Sequence, residues 1–221
     1  MRWRKRLLRT GLLICITPLL LTLCYRDLPA PSTLMLYDIA TLHWPQRDWI
    51  AINDVSPHAI NAVLSAEDSA FCQHLGFDFR QLSKSLERAL DEDRPLRGTS
   101  SISQQTAKNL FLWHGRSWFR KALEAPLTIW LELTLSKQRI LEIYLNVAEW
   151  GDGLYGIEAA SQQFFNISAK HLSSYQASLL ATALPNPRKR NPARPGPTHR
   201  AMAINIQKRM INSSPDLSCL Q

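Results

Sequence analysis

A carboxylate interrupts what otherwise reads as the buried face of a helix. After Ser56-Pro57, a capping hydroxyl followed by a proline suited to a first helical turn, Ile60, Val63, Leu64 and Phe71 recur at steps of three and four. Glu67 and His74 fall on the same stripe, Asp68 is expected to point away from it, and Gly76 ends the pattern. Burial disfavours the charged form of a carboxyl group, so an inward-facing Glu67 would hold its proton toward neutral pH. That suits a general acid or base. It is equally the pattern of a structural glutamate satisfied by a helix N-terminus or an arginine.

Three further groupings carry polar side chains at helical spacing. In RKALE (120–124), Arg120 and Glu124 stand one turn apart and Lys121 and Glu124 nearly so, which reads first as a pair of surface salt bridges. In QQTAKN (104–109), Gln104 shares a face with Lys108, and Gln105 shares one with Asn109. Amides and an ammonium so placed suit sugar hydroxyls and phosphate, or simply a solvated face. In KQRILEIYLN (137–146), Lys137 and Arg139 head a segment that is mostly core.

The elements that must position these groups are helical. Helices are expected from Pro57 to about Gly76, from Phe79 to Leu90, and from a capping box at Ser101 and Gln104 through ISQQTAKNLFLW. Another runs through 117–147 with an interruption at Pro126, and further helices are IEAASQQFF, SYQASLLATAL (opened by Ser173 with Gln176) and a last one near 198–211. GDGLYG (151–156) reads as a loop. No stretch sustains period-two alternation, so the body reads as all-α and as a single domain.

The net charge of +8 comes from 26 Lys and Arg against 18 Asp and Glu, but it is concentrated at the ends. Residues 1–9 carry five positive charges and residues 185–210 carry seven, while residues 10–184 sum to −3. The basic start precedes an apolar run that predicts a transmembrane anchor over 7–25, with Arg9 snorkelling toward headgroups. A cleaved signal peptide competes with that reading, although Leu28-Pro29-Ala30 is a poor cleavage site, and a lipoprotein at Cys24 is disfavoured by bulky Leu23. Positive charge before the span puts 1–9 in the cytoplasm and the body outside that membrane. Nucleic acid is then not an expected partner. Tyr37, Trp44 and Trp49 in the juxtamembrane segment 26–48 and just beyond it suit either a membrane interface or core packing. No pair of cysteines has zinc-ligand spacing; Cys72 and Cys219 could pair in an oxidising compartment.

Taken in order, EDSAFCQHLG (67–76), RGTSSISQQTAKN (97–109), RKALE (120–124), KQRILEIYLN (137–146) and GDGLYGIEAASQQFF (151–165) closely resemble five successive motifs of the peptidoglycan glycosyltransferases. That family also supplies the first domain of bifunctional penicillin-binding proteins. With no transpeptidase domain following, the chain resembles the family's monofunctional, biosynthetic transglycosylase branch. The resemblance implies a lysozyme-like helical domain over 49–211, with 212–221 as a tail. It also implies an inverting polymerisation of lipid II, the undecaprenyl-diphosphate-linked disaccharide-peptide, at the periplasmic side of the inner membrane. By the same resemblance Glu67 is the general base, and Lys108, Arg120 and Lys121, with Lys137 and Arg139, meet the diphosphate. Glu124 would orient that cluster or a divalent cation (Mg or Mn), although no cofactor is required by the sequence. Gln104, Gln105 and Asn109 would position substrate, while Asp68, Phe71, His74, Gly76, Ser100 and Ser101 would form the site's framework. Cell-wall synthesis and division proteins are the expected partners. The family usually reads Gly-Gly-Ser-Thr where this chain has Gly98, Thr99, Ser100 and Ser101. Two readings stay open beside it: a lytic, lysozyme-like hydrolase, and a membrane-tethered binding protein.

Overall fold

Serine starts most of the helices. The computed structural model describes residues 2–91, 100–115 and 117–220, without the side chains of residues 2, 4, 7, 8, 11, 14, 15, 88 and 89. The helices are α1 (Arg2–Cys24), α2 (Thr33–Ala40), α3 (Pro57–Glu67), α4 (Phe79–Asp91), α5 (Ile102–Phe111), α6 (Trp118–Thr134), α7 (Lys137–Val147), α8 (Ile157–Phe165), α9 (Ser174–Ala183) and α10 (Pro197–Asn212). Ser32, Ser56, Ser101, Ser117, Ser136 and Ser173 each accept a first-turn backbone N–H, of Met35, His58, Gln104, Arg120, Arg139 and Gln176 respectively. Such a cap stabilises a helix by about 1 kcal/mol and fixes where it starts. The capping boxes expected at Ser101/Gln104 and Ser173/Gln176 both form.

The core centres on α7. Ile140, Leu141, Ile143, Tyr144, Leu145, Asn146 and Val147 are all buried, so this helix is enclosed nearly all round, by α5, α6 and α8 among others. On the other side α3 packs against α9 and α10. Asn146 joins the core helix to the chain before α3. Its Oδ1 accepts from the Ile50 N–H at 2.9 Å, and its Nδ2 donates to the carbonyls of Ile50 (2.9 Å) and Glu142 (2.8 Å).

The structure changes four expectations. The body is mostly helical but not wholly so. A small sheet of order β1 (Gln46–Arg47), β3 (Leu154–Tyr155), β2 (Glu149–Gly151) has β1 parallel and β2 antiparallel to β3, and the expected loop 151–156 is the β2–β3 hairpin. Strands of two and three residues are too short to show alternation. Second, α3 stops at Glu67, and Phe71 stands in a short 3₁₀ turn, Phe71–Gln73. Third, α6 runs unbroken through Pro126 and the chain turns only at Leu135–Ser136. Proline removes the hydrogen bond to the Ala122 carbonyl, but both residues are exposed, so solvent can take that carbonyl. Fourth, α1 covers the expected anchor, yet among the described residues no helix is long and apolar enough to cross a membrane. The Gly98-Thr99 variation lies outside the described residues.

Cys72 and Cys219 form a disulfide across 147 residues of chain, tying the C-terminal turn Ser218–Leu220 to the segment that follows Glu67. Closing so long a loop restricts the unfolded chain, and native disulfides typically contribute about 2–5 kcal/mol. Cys219→Ser should therefore lower the thermal midpoint by several degrees, read by circular dichroism, with a matching drop when the wild type is reduced.

Candidate active site

Glu67 is the last residue of α3, and Asp68 caps that helix's C-terminus with its N–H on the Leu64 carbonyl at 2.9 Å. The helix ends here because the Asp68 side chain is engaged elsewhere. It is 2% exposed, not turned to solvent as the extended wheel implied. Its Oδ2 accepts from the Ile102 N–H at 2.9 Å, at the start of α5, and its Oδ1 lies 2.9 Å from His74 Nε2. A carboxylate at a helix N-terminus satisfies orphan N–H groups and meets the favourable end of the helix dipole. Asp68 thus joins the end of α3 to the start of α5.

That joint sets Glu67 beside α5. Glu67 Oε2 accepts from Gln105 Nε2 at 2.8 Å, and the Gln105 carbonyl oxygen accepts from the buried Tyr144 hydroxyl at 3.3 Å. An ionised Glu67 can only accept, so the amide NH₂ faces it and the amide oxygen is left for the Tyr144 hydroxyl. Burial pushes the Glu67 carboxyl above its ordinary range, and nearby Asp68 adds to this. The Gln105 hydrogen bond and the positive charges of Lys108 and Arg190 pull it back. The result is a carboxylate with a raised proton affinity that is still able to ionise.

Glu124 overturns the surface-salt-bridge reading. It is 2% exposed and is gripped by Arg120 Nη1 and, at 2.7 Å, by Lys121 Nζ. Lys121 also donates to Ser100 Oγ at 2.9 Å. Lys108, two turns into α5, adds a third cation to this group. Burial holds its ammonium below the usual lysine range, Glu124 opposes that, and Arg120 and Lys121 lower it further. Among the described residues the Lys108 ammonium makes no hydrogen bond or ion pair, and its carbonyl accepts from the Leu112 N–H at 3.0 Å. Three cations against one carboxylate leave the cluster positive, with Lys108 available to an anion.

The other expected site residues divide clearly. Gln104 is buried in the capping box with Ser101, whose hydroxyl donates to the Gly76 carbonyl. Gly76 has φ +85°, and a Cβ there would meet Thr128 Cγ2 at 2.6 Å, so the position demands glycine. Asn109 is half-buried, and its carbonyl accepts from Thr33 Oγ1 at 3.2 Å. Lys137 pairs with Glu132 at 2.7 Å and lies over the Phe71 ring, while Arg139 pairs with Glu142 and donates to the carbonyls of Tyr25 (2.8 Å) and Leu28 (2.6 Å). Arg139 also lies over the Trp49 ring at 5.3 Å, as does Arg47 at 5.4 Å. Both cations are committed to the framework and are not gathered with Lys108. Arg190, by contrast, was read only as part of a surface basic run. It donates to the Thr182 carbonyl on α9, and its charge reaches Glu67. A count of charges along a loop carries no sign of which one turns inward.

The raised affinity of Glu67 has a measurable consequence. The folded state binds this proton to higher pH than the unfolded chain, so stability falls as pH rises between the two pKa values. Glu67→Gln should melt above the wild type at pH 8, and the gap should close toward pH 4, measured as thermal midpoints across that range.

Half-buried Glu67 feels the charge of Lys108 on α5, and Lys108 in turn feels Arg120, Lys121 and Glu124 of α6. The transglycosylase family model matches residues 35–212. The biosynthetic peptidoglycan transglycosylase of Brucella suis biovar 1 is 45% identical over 225 residues, covering 99% of this chain and 100% of its own. That of Agrobacterium fabrum is 47% identical over 219 residues, covering 98% and 96%. That of Haemophilus influenzae strain PittEE is 46% identical over 193 residues, covering 84% and 80%. The chain belongs to the transglycosylase family and is a glycosyltransferase.

Proposed function

We propose that this chain polymerises lipid II into β-1,4-linked glycan strands with inversion and release of undecaprenyl diphosphate. The observation that carries this reading is that Glu67 lies in the field of Lys108, which is grouped with Arg120 and Lys121. A base alone would serve hydrolysis of an uncharged glycan. The cations add a place for a departing diphosphate.

In this reading Glu67 takes the proton from the 4-hydroxyl of the acceptor N-acetylglucosamine. That oxygen attacks the anomeric carbon of the growing strand, and the bond to the diphosphate breaks on the opposite face. Arg120 offers its planar fork to phosphate oxygens, and Lys108 and Lys121 act as point charges. Held in place beforehand by Glu124 and Ser100, these donors need little reorganisation as charge develops. Both oxygens of Glu124 already accept from Arg120 and Lys121, so its part here is to hold those two cations.

The substrate's lipid calls for a membrane. We place α1 in the inner membrane, with the basic residues 1–9 in the cytoplasm and the catalytic domain in the periplasm. The support is the sequence pattern and the exposed Leu12, Leu13, Leu20 and Leu23 of that helix.

Detergent-solubilised full chain given labelled lipid II should yield long strands. Glu67→Gln should lower the rate by about 10²–10⁴-fold, the usual worth of a positioned base. Lys108→Ala should lose about 10²–10³-fold, as for other donors to a developing anion. The acid limb of the wild-type pH–rate profile should lie above the normal carboxylate range. Wild-type rates from Glu67→Gln would overturn the mechanism, and shortened sugars without polymer would point to a hydrolase.

A further inference from the structure

A second polar cleft, of about 590 Å³, opens on the sheet side of the domain, and neither Glu67 nor the cation cluster lines it. Its walls carry Asp38, His43, Trp44, Gln46, Asp152 and Gln163. Trp44 is 77% exposed, so it contributes little to the core and presents a free aromatic face. The turn that carries it is held in an uncommon shape. Leu42 has φ +62°, and the His43 N–H donates to the Asp38 carbonyl at 2.8 Å. Left-handed backbone at a leucine persists only where its surroundings impose it, and such positions cluster at binding sites.

The rest of the cleft is fixed as well. Asp38 Oδ2 accepts from the Tyr155 hydroxyl at 2.6 Å, and the Gln46 N–H donates to the Gly153 carbonyl at 2.9 Å. Asp152 pairs with Arg188 at 3.1 Å, and Arg188 also holds Glu149 at 3.2 Å. An exposed indole flanked by carboxylates and amides suits a pyranose: the ring's C–H face lies on the aromatic, and its hydroxyl and acetamido groups meet Asp and Gln. The two carboxylates disfavour anionic headgroups, which argues against a membrane-interface role for Trp44. Arg188, which pairs with Asp152 at the rim of the cleft, stands two residues from Arg190, whose charge reaches Glu67.

We propose that this cleft is a subsite for β-1,4-linked amino-sugar glycan, holding the strand at a distance from the diphosphate. The proposal deepens the polymerase reading and rests on it for the source of the strand. Chitotetraose, which has neither lipid nor diphosphate, is the probe. Titrated into the full chain in detergent micelles by calorimetry, it should bind wild type and Glu67→Gln alike. Trp44→Ala and Gln163→Ala should each weaken it at least tenfold. With lipid II, these two variants should join the first two units at the wild-type rate yet make strands several-fold shorter, which assigns the cleft to the nascent strand. Loss of co-sedimentation with isolated peptidoglycan at unchanged strand length would instead assign it to mature wall, still as a glycan site. No chitotetraose binding, or equal binding by Trp44→Ala, overturns the proposal, as does loss of vesicle binding alone in that variant. If the wild type makes no polymer, the function proposed above fails, while the chitotetraose titration still decides the cleft.

Discussion

The carboxylate of Asp68 bridges two helices that are distant in sequence, and the site is arranged around that bridge. It accepts the first N–H of α5 while its own backbone closes α3. A helix that continued past residue 67 would draw Asp68 away from the Ile102 N–H and His74. Because α3 stops there, the neighbouring glutamate meets Gln105 on the second turn of α5, and Lys108 follows one turn later. Asp68, His74, Ser101 and Gly76 are therefore framework in a strict sense. They bear on Glu67, the proposed base, by fixing where two helices end and begin.

Charge compensation gives the second half of the arrangement. Glu124 is buried, and a buried carboxylate is tolerated only when paired. Arg120 and Lys121 supply the pairing, and in doing so they are immobilised beside Lys108. One acidic side chain thereby gathers like charges that would otherwise repel one another. Burial chiefly lowers the proton affinity of Lys108, and repulsion from Arg120 and Lys121 adds to it against the pull of Glu124. An anion bound beside Lys108 would relieve that repulsion, which is what the proposed diphosphate leaving group would do.

How far this could be read from the chain depended on the range of each interaction. The serine caps and capping boxes are local, involving residues two or three apart, and Ser101/Gln104 and Ser173/Gln176 stand as expected. The helical type of nearly every segment was legible for the same reason. The end of α3 was not, because the group that ends it finds its partner 34 residues away. Glu124 looked like half of a surface pair, since helical spacing says which residues meet and nothing of what covers them. Lys137 and Arg139 resembled diphosphate ligands by motif. Their neighbours Glu132 and Glu142, and the carbonyls of Tyr25 and Leu28, claim them in the fold. Arg190 was hidden in a run of like charges.

The electrostatic link between base and cation cluster can be tested directly by following the Glu67 carboxyl carbon by ¹³C NMR through a pH titration, with and without inorganic pyrophosphate. Lys108 and Arg190 lower the proton affinity that burial raises, so an anion neutralising the cluster should release part of that restraint. Glu67 is predicted to titrate above the ordinary carboxylate range, and higher again with pyrophosphate bound. Titration in the ordinary range, unmoved by pyrophosphate, would contradict it.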